Sequence, residues 1–384
     1  MHASSAGGFS RFLNDTQLLI SDLASIELWE IKQDELLQKA VIRPAAPSWS
    51  AYFLPEDDMI LAVGESLSFL RMSATGERFS RDISLEGFYP RIVAISPMGS
   101  HIAVPISLKK KREVRICVPV TLEVVHRIPI LDKEPRVLAF SPDGKQLAIG
   151  ESSYTTRLWN ISTGKELYRF VNRDNIIPWL KSAFVRALAF SPDGKQLACG
   201  GTFDAIWLWD VETGKRREKF VLPTDLIPHN ASGLPVENPK RLRPGTPGDG
   251  TYSVMFLKFD TNGKRLFAGL SSGHFLVFDL VRGMLLETLQ LGYESRAPYP
   301  VSVAINPDTS LIAVGRKDFV IELIETLRWQ SVAELKGHRG HIGSLDFSHD
   351  GTKLLSKSDD GTMRVWKVER GWLSKAWLKI EKQR

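Results

Sequence analysis

The feature that most constrains this chain is a turn phrase that returns three times in nearly the same words. It reads Phe140-Ser141-Pro142-Asp143-Gly144, then Phe190-Ser191-Pro192-Asp193-Gly194, then Phe347-Ser348-His349-Asp350-Gly351. Proline pre-sets φ for a type I turn, aspartate suits the next position, and glycine takes the left-handed conformation that a bulged hairpin needs. The phrase therefore joins two antiparallel strands tightly. Around it the apolar residues alternate, as in Val185 to Phe190 and Gln196 to Gly200. A third run, Ile206 to Asp210, leads into the turn Glu212-Thr213-Gly214-Lys215, and a fourth ends at Leu222. This spacing predicts a unit of four short strands.

Repeats of about 40 residues with only strand signals predict an all-β, closed β-propeller of four-stranded antiparallel blades. Aligning the chain on the template places turn phrases at Phe12, Phe53, Ile95, Phe140, Phe190, Phe259, Ile305 and Phe347. That predicts eight blades, the alternative being seven with the first unit as a cap or incomplete piece. The end of the third strand reads Trp29, Leu70, Cys117, Trp159, Trp209, Phe278, Ile324 and Trp366, all apolar, which fits packing between adjacent blades. The last unit supplies its own fourth strand near Ser374 to Ile380 and the first unit its own first strand near Phe9, so closure needs no exchanged strand. The termini of such a ring must be neighbours.

Trp209-Asp210, Trp159-Asn160 and Gly337-His338 carry a resemblance to the WD-repeat (tryptophan-aspartate repeat) β-propeller family, in which a repeat typically opens near Gly-His and ends in Trp-Asp. The resemblance covers nearly the whole chain in degenerate form and is strongest in units four, five and eight. It implies a structural tetrad in the last blade made of His338, Ser356, Asp360 and Trp366. Units four and five depart from it. Unit five has Cys199 at the serine position and Phe203 at the aspartate position, and unit four has Ile149 and Ser153. Because buried polar networks are either complete or replaced, these two units are expected to hold together by apolar packing alone.

At 384 residues the chain exceeds a usual single core, but stacked sheets bury surface locally between neighbours, so one domain over 1–384 is expected. Cys117 and Cys199 fall two units apart and are expected to be buried free thiols, which fits a reducing, cytoplasmic setting. No run is long and apolar enough for a membrane helix, and the first eight residues lack the pattern of a secretion signal. Two insertions interrupt the repeat. Residues 223–251 carry six prolines and must loop over one face, as a binding element or a mobile excursion. Residues 172–183 include Ile176, Ile177, Trp179 and Leu180, which either fold onto blades four and five or form a patch for a partner.

The formal net charge is +6. Its local peaks include Lys109, Lys110, Lys111 and Arg112, in a hairpin of unit three, and Lys240, Arg241 and Arg243, in the proline-rich insertion. These are candidate basic contact loops for acidic partners, but no aromatic interleaving or nucleic-acid module accompanies them, so nucleic acid is disfavoured. Neither a phosphate loop nor a Cys-x-x-Cys pair is present. Gly337-His338-Arg339-Gly340-His341 brings two histidines together without a third ligand nearby, so neither a metal nor another cofactor is expected. The sequence thus predicts a non-catalytic scaffold that binds protein partners through its loop and channel faces, as a monomer or within a larger complex. The alternatives are a hydrolase with residues converging on the central channel, and contact with nucleic acid or lipid through the basic loops.

Overall fold

The computed structural model describes residues 10–21, 25–32, 35–42, 48–54, 59–64, 67–72, 78–83, 92–108, 111–130, 134–152, 154–173, 184–202, 205–223, 253–290, 302–316, 318–368 and 376–381. Among them every regular element is a strand, and the strands form eight four-stranded antiparallel sheets. In every sheet the strands lie in chain order, each paired with its sequence neighbour. The first unit is a full blade of this kind, running from Ser10–Phe12 to Glu35–Ile42, and not a cap. Blade eight includes Ala376–Glu381, its own fourth strand.

The first strands are Ser10–Phe12, Ser48–Leu54, Ala94–Ile95, Pro135–Phe140, Val185–Phe190, Val254–Phe259, Val303–Ile305 and Ile342–Phe347. All but the second end on the opening residue of the turn phrase; Ser48–Leu54 runs one residue beyond Phe53. The serine and aspartate of the phrase fasten the turn from within. In blade four the Ser141 hydroxyl donates to Asp143 Oδ1 at 2.6 Å and accepts from the Gln146 amide at 2.9 Å. Ser191 and Ser348 repeat both bonds at the same distances. The phrase is thus a hydrogen-bonded hairpin lock.

Contacts gather the chain into two compact units, one of Met1–Phe53, Asp58–Ser84 and Tyr299–Arg384, the other of Leu54–Asp57 and Leu85–Pro298. Within the first unit, blade eight packs on blade one. Phe12, Leu18, Ile31, Leu355 and Val365 form a shared apolar cluster. The Phe12 amide donates to Asp346 Oδ2 at 2.8 Å, and the Asp350 amide to Asp15 Oδ1 at 2.8 Å. Beginning and end of the repeat array are therefore neighbours. Within the second unit, blades three to six stack in sequence. A Cβ added at Gly150 would lie 2.6 Å from Val185 of the next blade, and one at Gly200 would lie 2.6 Å from Val254. Glycine stands next to last in the second strand here because the following blade presses on its backbone.

Two features of the ladders were not legible in the repeat. In seven blades the third and fourth strands slip register immediately before Trp29, Cys117, Trp159, Trp209, Phe278, Ile324 or Trp366, the residues aligned as interblade packing. These residues are buried in every case but Trp29, which is partly exposed. A bulge at that point adds twist and turns the strand end. The second feature concerns left-handed backbone. Gly273 and Gly361 take φ of 82° and 80° in the turns between second and third strands, and blade seven puts Phe319 there with φ of 66°. The Phe319 amide still donates to the Arg316 carbonyl at 3.2 Å, the bond that Gly361 makes to Ser358. The turn persists although its glycine has gone.

Candidate functional site

In the last blade the four residues singled out by the WD pattern meet. Trp366 Nε1 donates to Ser356 Oγ at 2.8 Å, and Ser356 Oγ lies 2.8 Å from His338 Nε2. His338 Nδ1 lies 3.1 Å from Asp360 Oδ2. Asp360 also accepts the Arg339 amide, the Thr362 amide and the Thr362 hydroxyl, each at 2.7 to 2.8 Å. Burial alone would raise the Asp360 pKa, but those hydrogen bonds and the one from His338 outweigh it and hold the carboxyl well below the usual range. The chain thus ties the link before blade eight (His338) to its second strand (Ser356), its turn (Asp360) and its third strand (Trp366). No substrate-facing nucleophile arises from it, because each polar atom is spent on a neighbour.

Blade five overturns the expectation of purely apolar packing. Cys199 holds the serine position and is fully buried, yet Trp209 Nε1 is not left bare. It donates to Asn172 Oδ1 at 2.8 Å, and Asn172 Nδ2 donates to Thr156 Oγ1 at 3.0 Å. Thr156 in turn hydrogen-bonds the Cys199 thiol, whose pKa burial pushes up to about 12. A buried polar chain survives, with an asparagine from the segment that enters blade five accepting the tryptophan bond that Ser356 accepts in blade eight. Unit four is not purely apolar either, since its buried Arg157 pairs with Glu151 at 2.8 Å. Its Ile149 is fully buried, and Trp159 Nε1 is buried without a hydrogen-bond partner among the described residues. Both cysteines are free and buried, and burial, against the charges of Arg115 and Arg127, raises the Cys117 thiol to about 11. Such thiols are poor nucleophiles.

Of the basic residues flagged in the sequence, Lys109, Lys110, Lys240, Arg241 and Arg243 lie outside the described residues, as does the side chain of Lys111. So do 224–251 of the long insertion and 174–183 of the shorter one, with Ile176, Ile177, Trp179 and Leu180. Arg112 is placed. Its guanidinium lies 3.8 Å from Glu134 at the entry to blade four, and Glu134 lies 3.4 Å from Arg136. Among the described residues no group of three His, Cys, Asp or Glu side chains is arranged to hold a metal. His341 Nδ1 faces Asp359 at 4.0 Å, apart from the tetrad chain. No helix of the described residues is long and apolar enough to cross a membrane.

Eight sheets of this order, with a complete His-Ser-Asp-Trp chain in one of them, define a repeat protein of the propeller class. The chain carries WD repeats: a family model described as WD domain, G-beta repeat matches residues 180–210 and 329–367, which hold the whole His-Ser-Asp-Trp chain of blade eight and Cys199 and Trp209 of blade five. Among curated proteins it is similar to apoptotic protease-activating factor 1 of Homo sapiens, 28% identical over 117 residues, covering 30% of this chain and 9% of that protein. It is 31% identical over 121 residues to the U3 small nucleolar RNA-associated protein 21 homolog of Schizosaccharomyces pombe, covering 31% of this chain and 13% of that protein. Over 71 residues it is 35% identical to serine-threonine kinase receptor-associated protein of Dictyostelium discoideum, covering 18% of this chain and 24% of that protein. The matched segments thus span less than a quarter of each relative's length.

Proposed function

We propose that this chain is a non-catalytic interaction module that binds protein partners through the turns at its strand ends. The observation that carries the reading is Phe319. This aromatic side chain is 39% exposed and stands on backbone that L-residues other than glycine rarely adopt. The turn is pinned around it: Arg316 donates to Asp318 Oδ2 at 2.7 Å and to Glu334 Oε1 at 2.8 Å. Left-handed backbone costs a side-chain-bearing residue about 1 to 2 kcal/mol, and local strain of this kind concentrates where a ligand is held. Leu327, 71% exposed in another turn of the same blade, adds apolar surface, as do Met98 (63%) and Val281 (75%) in turns of blades three and six.

Phe319→Gly separates binding from folding. Relief of the strained turn is expected to stabilise the protein by about 1 kcal/mol in urea unfolding, since little packing is lost. The same variant is expected to retain fewer of the proteins that the wild-type chain captures and cross-links in cells, as an aromatic contact residue should. Stabilisation with unchanged capture would remove Phe319 from the interface and with it the support for this reading.

A further inference from the structure

The first strands of blades four, five, six and eight share a bulge after their first residue. The unpaired positions are Arg136, between Pro135 and Val137, and Arg186, between Val185 and Ala187. Met255 and Gly343 occupy the same place in the other two. The bulge therefore needs no arginine. A bulge frees its residue from the ladder and re-aims the side chain, and here it does so for two cations on adjacent blades.

Both guanidinium groups converge on one ring. Arg136 Cζ lies 4.8 Å and Arg186 Cζ 5.8 Å from the centroid of Phe184, so their separation cannot exceed the sum of the two. Arg136 is held by the Ser152 hydroxyl, 2.6 Å from its Nε, and shares Glu134 with Arg112. Arg186 is different: its Nε is buried with no hydrogen-bond partner among the described residues. Burial, and next the charge of Arg136, hold the Arg186 guanidinium below the usual arginine range. Among the described residues Arg112 and Arg136 share Glu134, and Arg186 adds a third cation across the Phe184 ring, so the three arginines exceed that carboxylate by two positive charges.

We propose that Arg136 and Arg186, bulged from neighbouring blades around Phe184, form a binding site for a phosphate dianion. The charge excess matches a dianion, and the planar donors of two arginines are suited to phosphate oxygens. Free phosphate and a phosphorylated side chain present the same group. The site goes beyond the interaction reading and does not depend on Phe319.

The test is a calorimetric and thermal-shift titration of the intact chain, Arg186→Gln and Arg136→Gln with inorganic phosphate, at constant ionic strength. Wild type is expected to bind phosphate and to melt higher with it, and each variant to bind at least roughly tenfold more weakly. Without phosphate, Arg186→Gln is expected to melt no lower than wild type, because it removes a like-charge neighbour and an unpaired donor. A phosphoserine peptide that binds more tightly than its serine counterpart and than inorganic phosphate identifies the carried group as the ligand; a peptide no tighter than phosphate identifies the free anion. Equal phosphate affinity in wild type and both variants, or an Arg186→Gln protein that melts lower without phosphate, would overturn the site.

Discussion

Ser356→Ala is expected to lower the stability of the protein by about 2 to 6 kcal/mol, since a buried donor or acceptor stripped of its partner costs about 1 to 3 kcal/mol. Two such groups are left behind: Trp366 Nε1 and His338 Nε2 both lose Ser356 Oγ. Adding Trp366→Phe to Ser356→Ala removes one stranded group, so the double variant should lose less than the sum of the two single losses. The network also sets an acid limit. Asp360 has its pKa depressed in the folded state, and Asp350 is lowered to about 2, where burial is outweighed by bonds from Ser348 and Thr352. A depressed carboxyl contributes stability that is fully present above its unfolded pKa of about 4 and drains away as pH falls toward the folded value. Denaturation midpoints should therefore fall below about pH 4, and less steeply in Asp360→Asn. A Ser356→Ala protein as stable as wild type would show that this chain of bonds does not hold the blade.

The second large effect falls on Asn172, which no motif singles out. Asn172→Leu strands Trp209 Nε1 and takes one of its two partners from the Thr156 hydroxyl, which keeps the Cys199 thiol. The expected loss is about 1 to 3 kcal/mol, the cost of the one stranded donor. Adding Trp209→Phe to Asn172→Leu should restore part of it, because the phenyl ring keeps the stacking seen between Trp209 and Phe170 at 4.9 Å and brings no donor. Chemical denaturation of the single and double variants measures both. If Asn172→Leu melts with wild type, the asparagine is incidental to the packing of blades four and five.

These two residues show how far the sequence could be read. Ser356, Asp360 and Trp366 stand at fixed offsets inside one short sheet, and a hairpin of set length leaves their separation no freedom. Asn172 reaches Trp209 from the segment that enters blade five, ahead of an insertion of irregular length. Offset counting fails there, and a loop asparagine is too common to stand out. The same holds for the arginine pair. Arg136 and Arg186 are 50 positions apart in the chain, and alternation predicts only that both lie on first strands. Their convergence depends on two bulges and on Phe184.

The sequence by itself determined the blade: its four strands, the turn that locks the first to the second, and the apolar position closing the third. Those are local properties, written in periods of two residues and in the few residue types that a tight turn accepts. Only the tertiary structure decided which polar atoms are satisfied, which strand ends bulge, and which charges from different blades share a ring. Such properties depend on distances between segments remote in sequence, and the packing of one blade on the next sets those distances.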